Sequence, residues 1–333
     1  MSSEYTIYRG EDGLIKPSLV PKPELGPKDI LVKIMHSGVC GSDLAYLPYG
    51  LALGHEGVGI VEAIGNEVTQ FTVGERAGGG YHRDSCGHCS YCLSGQDIWC
   101  YERSVFGEKD YNNGTFGQYY VGKETYLHKI PEGMASEHAA PLQCAGATTY
   151  NALVQVVKPG DRVGILGIGG LGHLAIQFAR KLGTDVVVFS TSRSKEEAKQ
   201  LGASEFYLLD ELEKLPKPVN TLVVAGNKYP DWKKFMTKNV LARAGNVIPL
   251  AVPVPQGSLE IPAFEAFFDG YNIRSSLVAS RAKHDEMLQF AASHDVKPWV
   301  EKFEMSESGI AEVVGKLHAN KIRYRGVLVA KDA

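Results

Sequence analysis

The hydrophobic and polar positions along this chain change their period near residue 159. Before it, short runs such as DILVKIMHSG (29–38) and GVGIVEAIG (57–65) alternate between apolar and polar residues. Alternation with a period of two indicates half-buried strands, so residues 1–75 are predicted to form small antiparallel strands and turns. From Gly78 to about Cys100 the period is lost. This segment is predicted to be an irregular loop that needs a cross-link to hold it together.

After Pro159, strands and helices alternate. A buried strand, a tight glycine turn and an amphipathic helix come first, and they are followed by the strand DVVVFS, the helix SKEEAKQLGA and the strands TLVVAG and GNVIPL. Such alternation predicts a parallel sheet with helices on both faces. Beyond Val278 the pattern shifts to a helix, HDEMLQFAASH, and a late strand, YRGVLVA.

Composition narrows the class of protein. The 333 residues allow two ordinary domains, and the net charge of -3 argues against a nucleic-acid or membrane surface. The N-terminal MSSEYTIYRG lacks the pattern of a secretory signal, and no window approaches a membrane span. We therefore expect a cytoplasmic protein whose cysteines are reduced, which favours metal binding or catalysis over disulfides.

Four of the six cysteines form one short run. The spacing is C-x2-C-x2-C-x7-C over Cys86, Cys89, Cys92 and Cys100. Four thiolates that converge from one loop are typical of a closed, tetrahedral zinc site, which stabilises the loop but leaves no position for a substrate. The run is predicted to hold a structural zinc.

The other two cysteines form a different set with one histidine. Cys40 lies in GVCGSD, His55 in GHEGVGIVEAIG and Cys144 in PLQCAGATTY. Two thiolates and one imidazole are the open ligand set that keeps a fourth position for a substrate. A hydrogen-bonded core histidine is the alternative for His55 alone. The complete set favours a catalytic zinc.

A glycine-rich turn indicates a dinucleotide site. Gly167, Gly169 and Gly172 form G-x-G-x-x-G between a predicted strand and a predicted helix, with Gly170 and Leu171 inside the turn. In this context the glycines let the backbone approach a pyrophosphate at the helix N-terminus.

The end of the next strand indicates which dinucleotide binds. Where an NAD enzyme places an acid, this chain has hydroxyls and cations, namely Ser190, Thr191, Ser192, Arg193, Ser194 and Lys195. Hydroxyls and cations would bind a 2′-phosphate that an acid would repel, so the sequence predicts NADP(H). A solvated basic turn that tolerates NAD is the alternative.

With these motifs the chain resembles the zinc-containing medium-chain dehydrogenase/reductases, within them the cinnamyl-alcohol-dehydrogenase branch. The resemblance covers nearly the whole length, from GVCGSD to STSRSK. It implies an α/β protein with a GroES-like, mostly β catalytic domain (1–144 and 279–333) and a Rossmann cofactor domain with a doubly wound parallel sheet (145–278). The structural zinc lobe would span about 78–105, and the active site would lie in the cleft between the domains.

The resemblance also implies roles for single residues. Ser42 stands at the position of the proton-relay hydroxyl, Asp43 at that of the carboxylate that orients the zinc-bound histidine, and Glu56 where it can approach the metal. Thr148 would lie beside the nicotinamide, and Ser275, Ser276 and Leu277 would lie near it from the other side. A homodimer is implied as well.

Two features depart from the family pattern. Ala45 stands where members commonly carry a relay histidine. Only fourteen residues, 41–54, separate Cys40 from His55, so the segment AYLPYGLAL would make a short rim.

These residues predict a zinc-dependent NADP(H) alcohol dehydrogenase that acts on aromatic or bulky apolar aldehydes and alcohols. The candidate pocket-wall residues are Tyr46, Tyr49, Tyr81, His82 and Trp99, for each of which ordinary packing is the alternative. An NADPH-dependent reductase of C=C or C=N bonds on the same fold is the second hypothesis. A non-enzymatic NADPH-binding protein is the third.

Overall fold

A computed structural model describes residues 4–192, 194–226, 228–251 and 258–333 of the chain. The chain divides into two compact units. The first contains Met1–Ala147 and Ala279–Ala333, and the second contains Thr148–Val278. The first unit is therefore built from both ends of the chain.

The described residues include the following strands, numbered in chain order: β1 Glu4–Glu11, β2 Leu14–Pro21, β3 Asp29–Val39, β4 Tyr49–Ala52, β5 Glu56–Ile64, β6 Arg76–Gly80, β7 His82–Asp84, β8 Ser104–Val105, β9 Tyr119–Lys123, β10 His128–Lys129, β11 Arg162–Leu166, β12 Asp185–Ser190, β13 Glu205–Leu208, β14 Val219–Val224, β15 Leu241–Pro249, β16 Asn272–Ile273, β17 Val300–Glu304 and β18 Arg325–Val329.

The helices are α1 Gly41–Ala45, α2 Ser90–Leu93, α3 Ser136–Pro141, α4 Ala147–Val154, α5 Gly172–Lys181, α6 Lys195–Leu201, α7 Trp232–Phe235, α8 Ala263–Phe268, α9 Arg281–His294 and α10 Glu307–His318. A π-helical turn, Leu142–Gly146, joins α3 to α4, and short 3₁₀ turns lie at Asp97–Trp99, Glu124–Tyr126 and Leu212–Lys214. None of the described helices combines the length and the apolar character that a membrane span needs.

The main sheet of the first unit has the strand order β10-β6-β5-β3-β18-β17, and β9 also pairs with β3. β3 is buried in two runs, at residues 30–32 and 37–39, and does not alternate as its sequence predicts. Its two halves pair with different strands on one side, β9 near Asp29 and β18 near Val39. The C-terminal strand β18 thus joins the sheet next to the end of β3. An apolar core that includes Ile34, Phe116 and Ile310 covers this sheet.

The second unit has a six-stranded parallel sheet with the order β13-β12-β11-β14-β15-β16. In sequence order this is 3-2-1-4-5-6, the doubly wound arrangement of dinucleotide-binding folds. All five residues of β11 are buried, as in a central parallel strand that is covered on both faces. The predicted α/β class with GroES-like and Rossmann-like parts is confirmed.

The segment from Gly78 to Cys100 is more regular than its sequence suggests. β6 continues to Gly80, β7 follows at His82–Asp84, and α2 lies inside the cysteine run. β6 lacks the alternating pattern of a strand because several of its residues are glycines. Neighbouring groups occupy the space that larger side chains would need at these positions. A Cβ at Gly78 would lie 2.7 Å from the Gln143 amide carbon.

Arg162 ties three neighbouring strands of the second unit together. Its guanidinium, 5% exposed, donates to Asp185 on β12 at 2.5 Å and to Glu205 on β13 at 2.7 Å. The hydrogen bonds from Arg162 lower the pKa of Glu205 below its ordinary value of 4.5.

We expect Arg162→Met to lower the free energy of unfolding by about 1–3 kcal/mol at pH 7, because it removes charge-assisted hydrogen bonds from carboxylates that keep part of their hydration. The Glu205 contribution is present above pH 4.5 and is lost as the pH falls through the lowered pKa, so the difference should shrink in acid. Urea denaturation at pH 7 and pH 4 measures it. Arg243→Met, which removes a 74% exposed partner of Asp269, is the control and should change stability little. A pH-independent difference would contradict the ion-pair explanation.

Candidate active site and cofactor site

Asp43 organises the first candidate metal set. Cys40 follows β3 directly and precedes α1, which places Asp43 one turn beyond it. The buried carboxylate accepts from the backbone N–H of Cys40 at 2.9 Å and of Gly54 at 3.1 Å, and lies 3.0 Å from Nδ1 of His55. Because a carboxylate only accepts, Nδ1 of His55 carries a proton, and in the neutral ring Nε2 presents its lone pair.

The atoms around this lone pair have the chemistry of a zinc site. His55 is fully buried and its Nε2 has no hydrogen-bond partner. One ligand atom each of Cys40, His55, Glu56 and Cys144 lies within 4.8 Å of all the others. A hydrogen bond from Cys144 lowers the pKa of the Cys40 thiol well below its usual range, which favours the thiolate. The residues present fit a divalent metal, since an unpaired imidazole nitrogen in an apolar interior is otherwise costly.

One basic side chain brings a positive charge to the same candidate metal set. Arg325, at the start of β18, donates to both oxygens of Glu56, at 2.6 and 2.5 Å, and both residues are buried. Burial raises the pKa of Glu56 to about 7 against the attraction of this guanidinium. Gly38 leaves room for the pair, because a Cβ there would lie 2.0 Å from Oε2 of Glu56.

Ser42 lies on α1 and is half-buried. Its Oγ is 3.8 Å from Sγ of Cys40, so the hydroxyl is next to the candidate metal set. Ala45, at the end of the same helix, offers no side-chain proton acceptor.

Aromatic rings surround His55. The ring of Phe106 lies 4.5 Å from it and that of Tyr81 lies 5.6 Å from it, and Tyr46 packs on Phe106 at 5.1 Å. Burial raises the pKa of Tyr81, so this phenol stays neutral. Two of the predicted pocket-wall residues, Tyr46 and Tyr81, are therefore grouped with the candidate metal set.

The other three predicted wall residues have different surroundings. Tyr49 is 72% exposed and contacts Tyr46. The buried ring of His82 packs on Tyr126 at 4.5 Å, and Trp99 ends the 3₁₀ turn in the four-cysteine segment. Among the described residues, no ring contact joins His82 or Trp99 to His55.

The four-cysteine run converges as its spacing predicts. The sulfur of Cys92 lies 3.9 Å from that of Cys86 and 3.6 Å from that of Cys89, close to the edge of about 3.8 Å in a tetrahedron with 2.3 Å Zn–S bonds. The backbone N–H of Cys86 lowers the pKa of Cys100 to about 7. The four sulfurs lie close enough together for a closed zinc site.

The glycine turn has the shape that a dinucleotide site needs. Gly167 adopts a φ of 95°, and a Cβ at Gly172 would lie 1.9 Å from the carbonyl oxygen of Gly167, so both positions require glycine. A Cβ at Gly169 would meet nothing within 4 Å, which leaves its backbone open to a ligand at the start of α5. Gly170 and Leu171 complete the turn.

Hydroxyl groups cluster where β12 ends. Oγ of the buried Ser190 accepts from the backbone N–H of Ser192 at 3.1 Å, and the Ser192 and Ser194 hydroxyls are 2.9 Å apart. Thr191 and Lys195 are exposed beside them, and Arg193 lies outside the described residues. The described part of this turn presents no carboxylate before Glu196.

The remaining predicted cofactor residues also belong to the second unit. Thr148 is buried in the first turn of α4. Ser275, Ser276 and Leu277 follow β16, and the Ser276 hydroxyl accepts from the Asn151 amide at 3.3 Å.

Sequence reasoning missed Arg325 and Phe106. Arg325 stands directly before the apolar strand residues GVLV, and a charge at the start of a buried strand demands a partner. Phe106 offers no comparable signal, because an aromatic residue in a loop is common.

Comparisons with known proteins agree with this geometry. The family model "Alcohol dehydrogenase GroES-like domain" matches residues 26–132, and "Zinc-binding dehydrogenase" matches residues 170–293. An alcohol dehydrogenase of Geobacillus stearothermophilus is 35% identical over 94% of this chain and 95% of its own length. "NADP-dependent alcohol dehydrogenase C 1" of Mycolicibacterium smegmatis is 31% identical over 98% of this chain and 97% of its own length.

A solved structure shares the fold. A cinnamyl alcohol dehydrogenase of Sorghum bicolor superposes with a TM-score of 0.90 at 28% identity and covers 98% of this chain and 97% of its own. Because the matches above 30% identity cover nearly the full length of both chains, the similarity is not limited to one domain. The chain therefore belongs to the zinc-binding alcohol dehydrogenases of the medium-chain dehydrogenase/reductase family, and it is an oxidoreductase that acts on alcohols.

Proposed function

We propose that the chain interconverts primary alcohols and aldehydes of aromatic or bulky apolar character, with a zinc ion held by Cys40, His55 and Cys144 and with NADP(H) as the hydride carrier. The observation that carries this proposal is the buried, unpartnered Nε2 of His55 among two thiols. When bound, zinc supplies Lewis-acid activation of the substrate oxygen, and NADP(H) supplies the hydride.

The residues of the first unit hold and shield this centre. Asp43 fixes the tautomer of His55, and the Arg325 guanidinium balances the charge of Glu56 beside the thiolates. Phe106, 2% exposed, and Tyr81 exclude water from one side of the imidazole. A dry, preorganised surrounding strengthens each electrostatic interaction at the reacting oxygen.

Ser42 moves the proton. Its Oγ accepts the proton of the substrate hydroxyl during oxidation and returns it during reduction. Because Ala45 cannot accept it in turn, this proton would leave Ser42 without a side-chain acceptor at position 45 and would pass to water. Positioned acid–base groups contribute about 10²–10⁴-fold to rate.

For the cofactor, the open face of Gly169 accommodates the pyrophosphate. The hydroxyls of Ser190, Thr191 and Ser192, with Arg193 and Lys195, favour a 2′-phosphate. The name of the Mycolicibacterium smegmatis relative, an NADP-dependent enzyme, supports the same choice.

The aromatic substrate class rests on the rings around His55. Tyr46, Tyr81 and Phe106 offer apolar faces and ring edges, which suit planar or bulky apolar groups. The likeness to the sorghum cinnamyl alcohol dehydrogenase supports this class.

Ala45 also favours a second candidate function. An enzyme without a relay histidine could reduce a C=C or C=N bond, where the proton goes to a carbon or nitrogen rather than to an oxygen. Only the product distinguishes the two activities.

The four sulfurs of Cys86, Cys89, Cys92 and Cys100 are proposed to hold the second, structural zinc. Such binding is worth about 10–16 kcal/mol in small peptides, enough to order a loop that has little core of its own. The six unpaired thiols also fit a reducing compartment, so we propose a cytoplasmic location.

We propose that two copies of the chain associate through the second unit. β16 is the end strand of the described sheet, and α8 just before it exposes Phe264, Phe267 and Phe268 by 69, 80 and 65%. Unpaired strand edges and contiguous exposed apolar groups are typical of protein interfaces.

Purified protein with two zinc ions per chain and NADPH should convert cinnamaldehyde into cinnamyl alcohol. Ser42→Ala should lower kcat by about 10²–10⁴-fold with unchanged NADPH affinity, because it removes a proton acceptor and no cofactor contact. Steady-state kinetics and identification of the product measure both.

Ser42→Thr, which keeps the hydroxyl, and Ser90→Ala on the exposed α2 should retain turnover. Unchanged turnover in Ser42→Ala would contradict the relay. Saturation of the C=C bond with the aldehyde retained would instead support the second candidate function.

Ser190→Asp should lower kcat/KM for NADPH relative to NADH by about 10–100-fold, because the added carboxylate repels the 2′-phosphate. Initial rates with both cofactors give the ratio. Ser204→Asp adds the same charge to an exposed residue of the same unit and should leave the ratio unchanged. An unchanged ratio in Ser190→Asp would place the phosphate elsewhere.

Light scattering should give twice the chain mass for the natural protein. Phe267→Asp should reduce it to one chain mass, because a charge would have to be buried at the interface. Leu93→Asp, at a 77% exposed position of the first unit, is the control. A dimer that persists in Phe267→Asp would exclude this surface.

A further inference from the structure

A π-helical turn carries Cys144. Leu142–Gly146 follows Pro141 at the end of α3, and all five residues of the turn are buried. A π-helical turn is wider than an α-helical one and is found mostly in short segments at functional sites. The direction of the Cys144 side chain therefore depends on what holds this turn from outside.

Gln143, the residue before Cys144, is held at both ends of its amide. It is 1% exposed, its Nε2 donates to the carbonyl oxygen of Ala139 at 3.0 Å, and its Oε1 lies 3.1 Å from Nε2 of His284. A carbonyl oxygen can only accept, so the bond to Ala139 fixes which end of the amide is which. Oε1 then accepts from His284.

His284 is set up to be that donor. It lies on α9, is 5% exposed, and burial lowers its pKa well below the ordinary value, so the ring is neutral and carries its proton on Nε2. Its ring stacks on His128 of β10 at 3.7 Å with 17° between the planes. Nδ1 of His128 in turn lies 2.7 Å from Asp285. The donor on α9 is thus held by a ring of β10, and that ring is held in turn by the next residue of α9.

The sheet leaves room for the amide. A Cβ at Gly78 on β6 would lie 2.7–2.9 Å from the amide atoms of Gln143. A polar residue with both ends satisfied fixes one position, whereas an apolar side chain of the same length could settle in several.

We propose that Gln143 and His284 are positioning residues for the catalytic metal: their hydrogen bond holds the π-helical turn so that Sγ of Cys144 completes the ligand set with Cys40 and His55. This inference rests on the proposed catalytic zinc. Groups behind metal ligands contribute about 10–100-fold to metal affinity or activity.

The test uses the full chain with cobalt(II) in the catalytic set and zinc in the four-cysteine set. Gln143→Met keeps the length and loses both hydrogen bonds, and His284→Phe keeps the stacked ring and loses the donor. Each should change the thiolate-to-cobalt absorption and speed cobalt loss to a chelator by about 10–100-fold, with the structural zinc retained. We expect kcat to fall while KM for NADPH is unchanged.

Two further variants separate positioning from general damage. His284→Gln keeps a donor near the Nε2 position and should restore slow cobalt loss. The double variant Gln143→Met with His284→Phe should lose cobalt no faster than the worse single variant, because the Gln143–His284 hydrogen bond is already broken in each single variant. Gln289→Met and His294→Phe make the same replacements at exposed positions of α9 and should match the natural protein.

Unchanged spectra and cobalt loss in folded variants would overturn the inference, as would equal loss of the structural zinc. If Gln143→Met does not fold, His284→Phe tests the same inference, because it removes the other partner of the hydrogen bond. A natural protein that binds one metal per chain would overturn the proposed function itself, and with it this inference.

Discussion

Three acidic groups, two buried and one half-buried, converge on one imidazole in the first unit, and their mutual repulsion is the constraint on which the rest of the site depends. The thiols of Cys40 and Cys144 and the carboxyl of Glu56 lie within 4.8 Å of one another and of His55. Buried anions without counter-charge cost far more than a domain's net stability. Two cations balance them, the proposed zinc and the guanidinium of Arg325, and Asp43 holds a proton on Nδ1 of His55, which leaves Nε2 for the metal.

This balance gives a physical reason for the discontinuous first unit. β5, β3 and β18 are neighbours in one sheet, and Gly326 of β18 is paired with Val39, the last residue before Cys40. Glu56 is the first residue of β5 and Arg325 is the first residue of β18, and these two strands flank β3. The strand between them has Gly38, so the Glu56 side chain can cross it. The C-terminal segment thus returns to the first unit with the charge that the ligand set lacks.

Sequence reasoning found the parts of the site that are local and missed those that depend on pairing. The four-cysteine spacing and the strand-turn-helix around Gly169 are complete within one segment, so the chemistry of those residues can be read directly. Arg325 acquires its role only through the register of β18 on β3, which no local pattern contains.

Gln143 shows a signal that could have been used. It is a single polar residue in the otherwise apolar stretch AAPLQCAGA, and a buried amide needs partners for both of its ends. The sequence therefore indicates that something holds Gln143, but His284 lies 141 residues away and only the packing of α9 identifies it. The same limit applies to β6, where Gln143 occupies the space that a side chain at Gly78 would need.

The two metal sets differ in how they couple to folding. The structural set closes within residues 86–100, so the unfolded chain can also gather these thiolates, and metal bound to the unfolded state reduces the net stabilisation. The catalytic set draws on residues 40, 55 and 144 and on the counter-charge at 325, which approach one another only in the folded sheet. The proposed catalytic metal would therefore bind almost solely to the folded state and stabilise it by its full binding free energy. For the same reason, retention of this metal should depend on each element that orients a ligand. The strand pair of Glu56 and Arg325 should matter as much as the turn of Cys144.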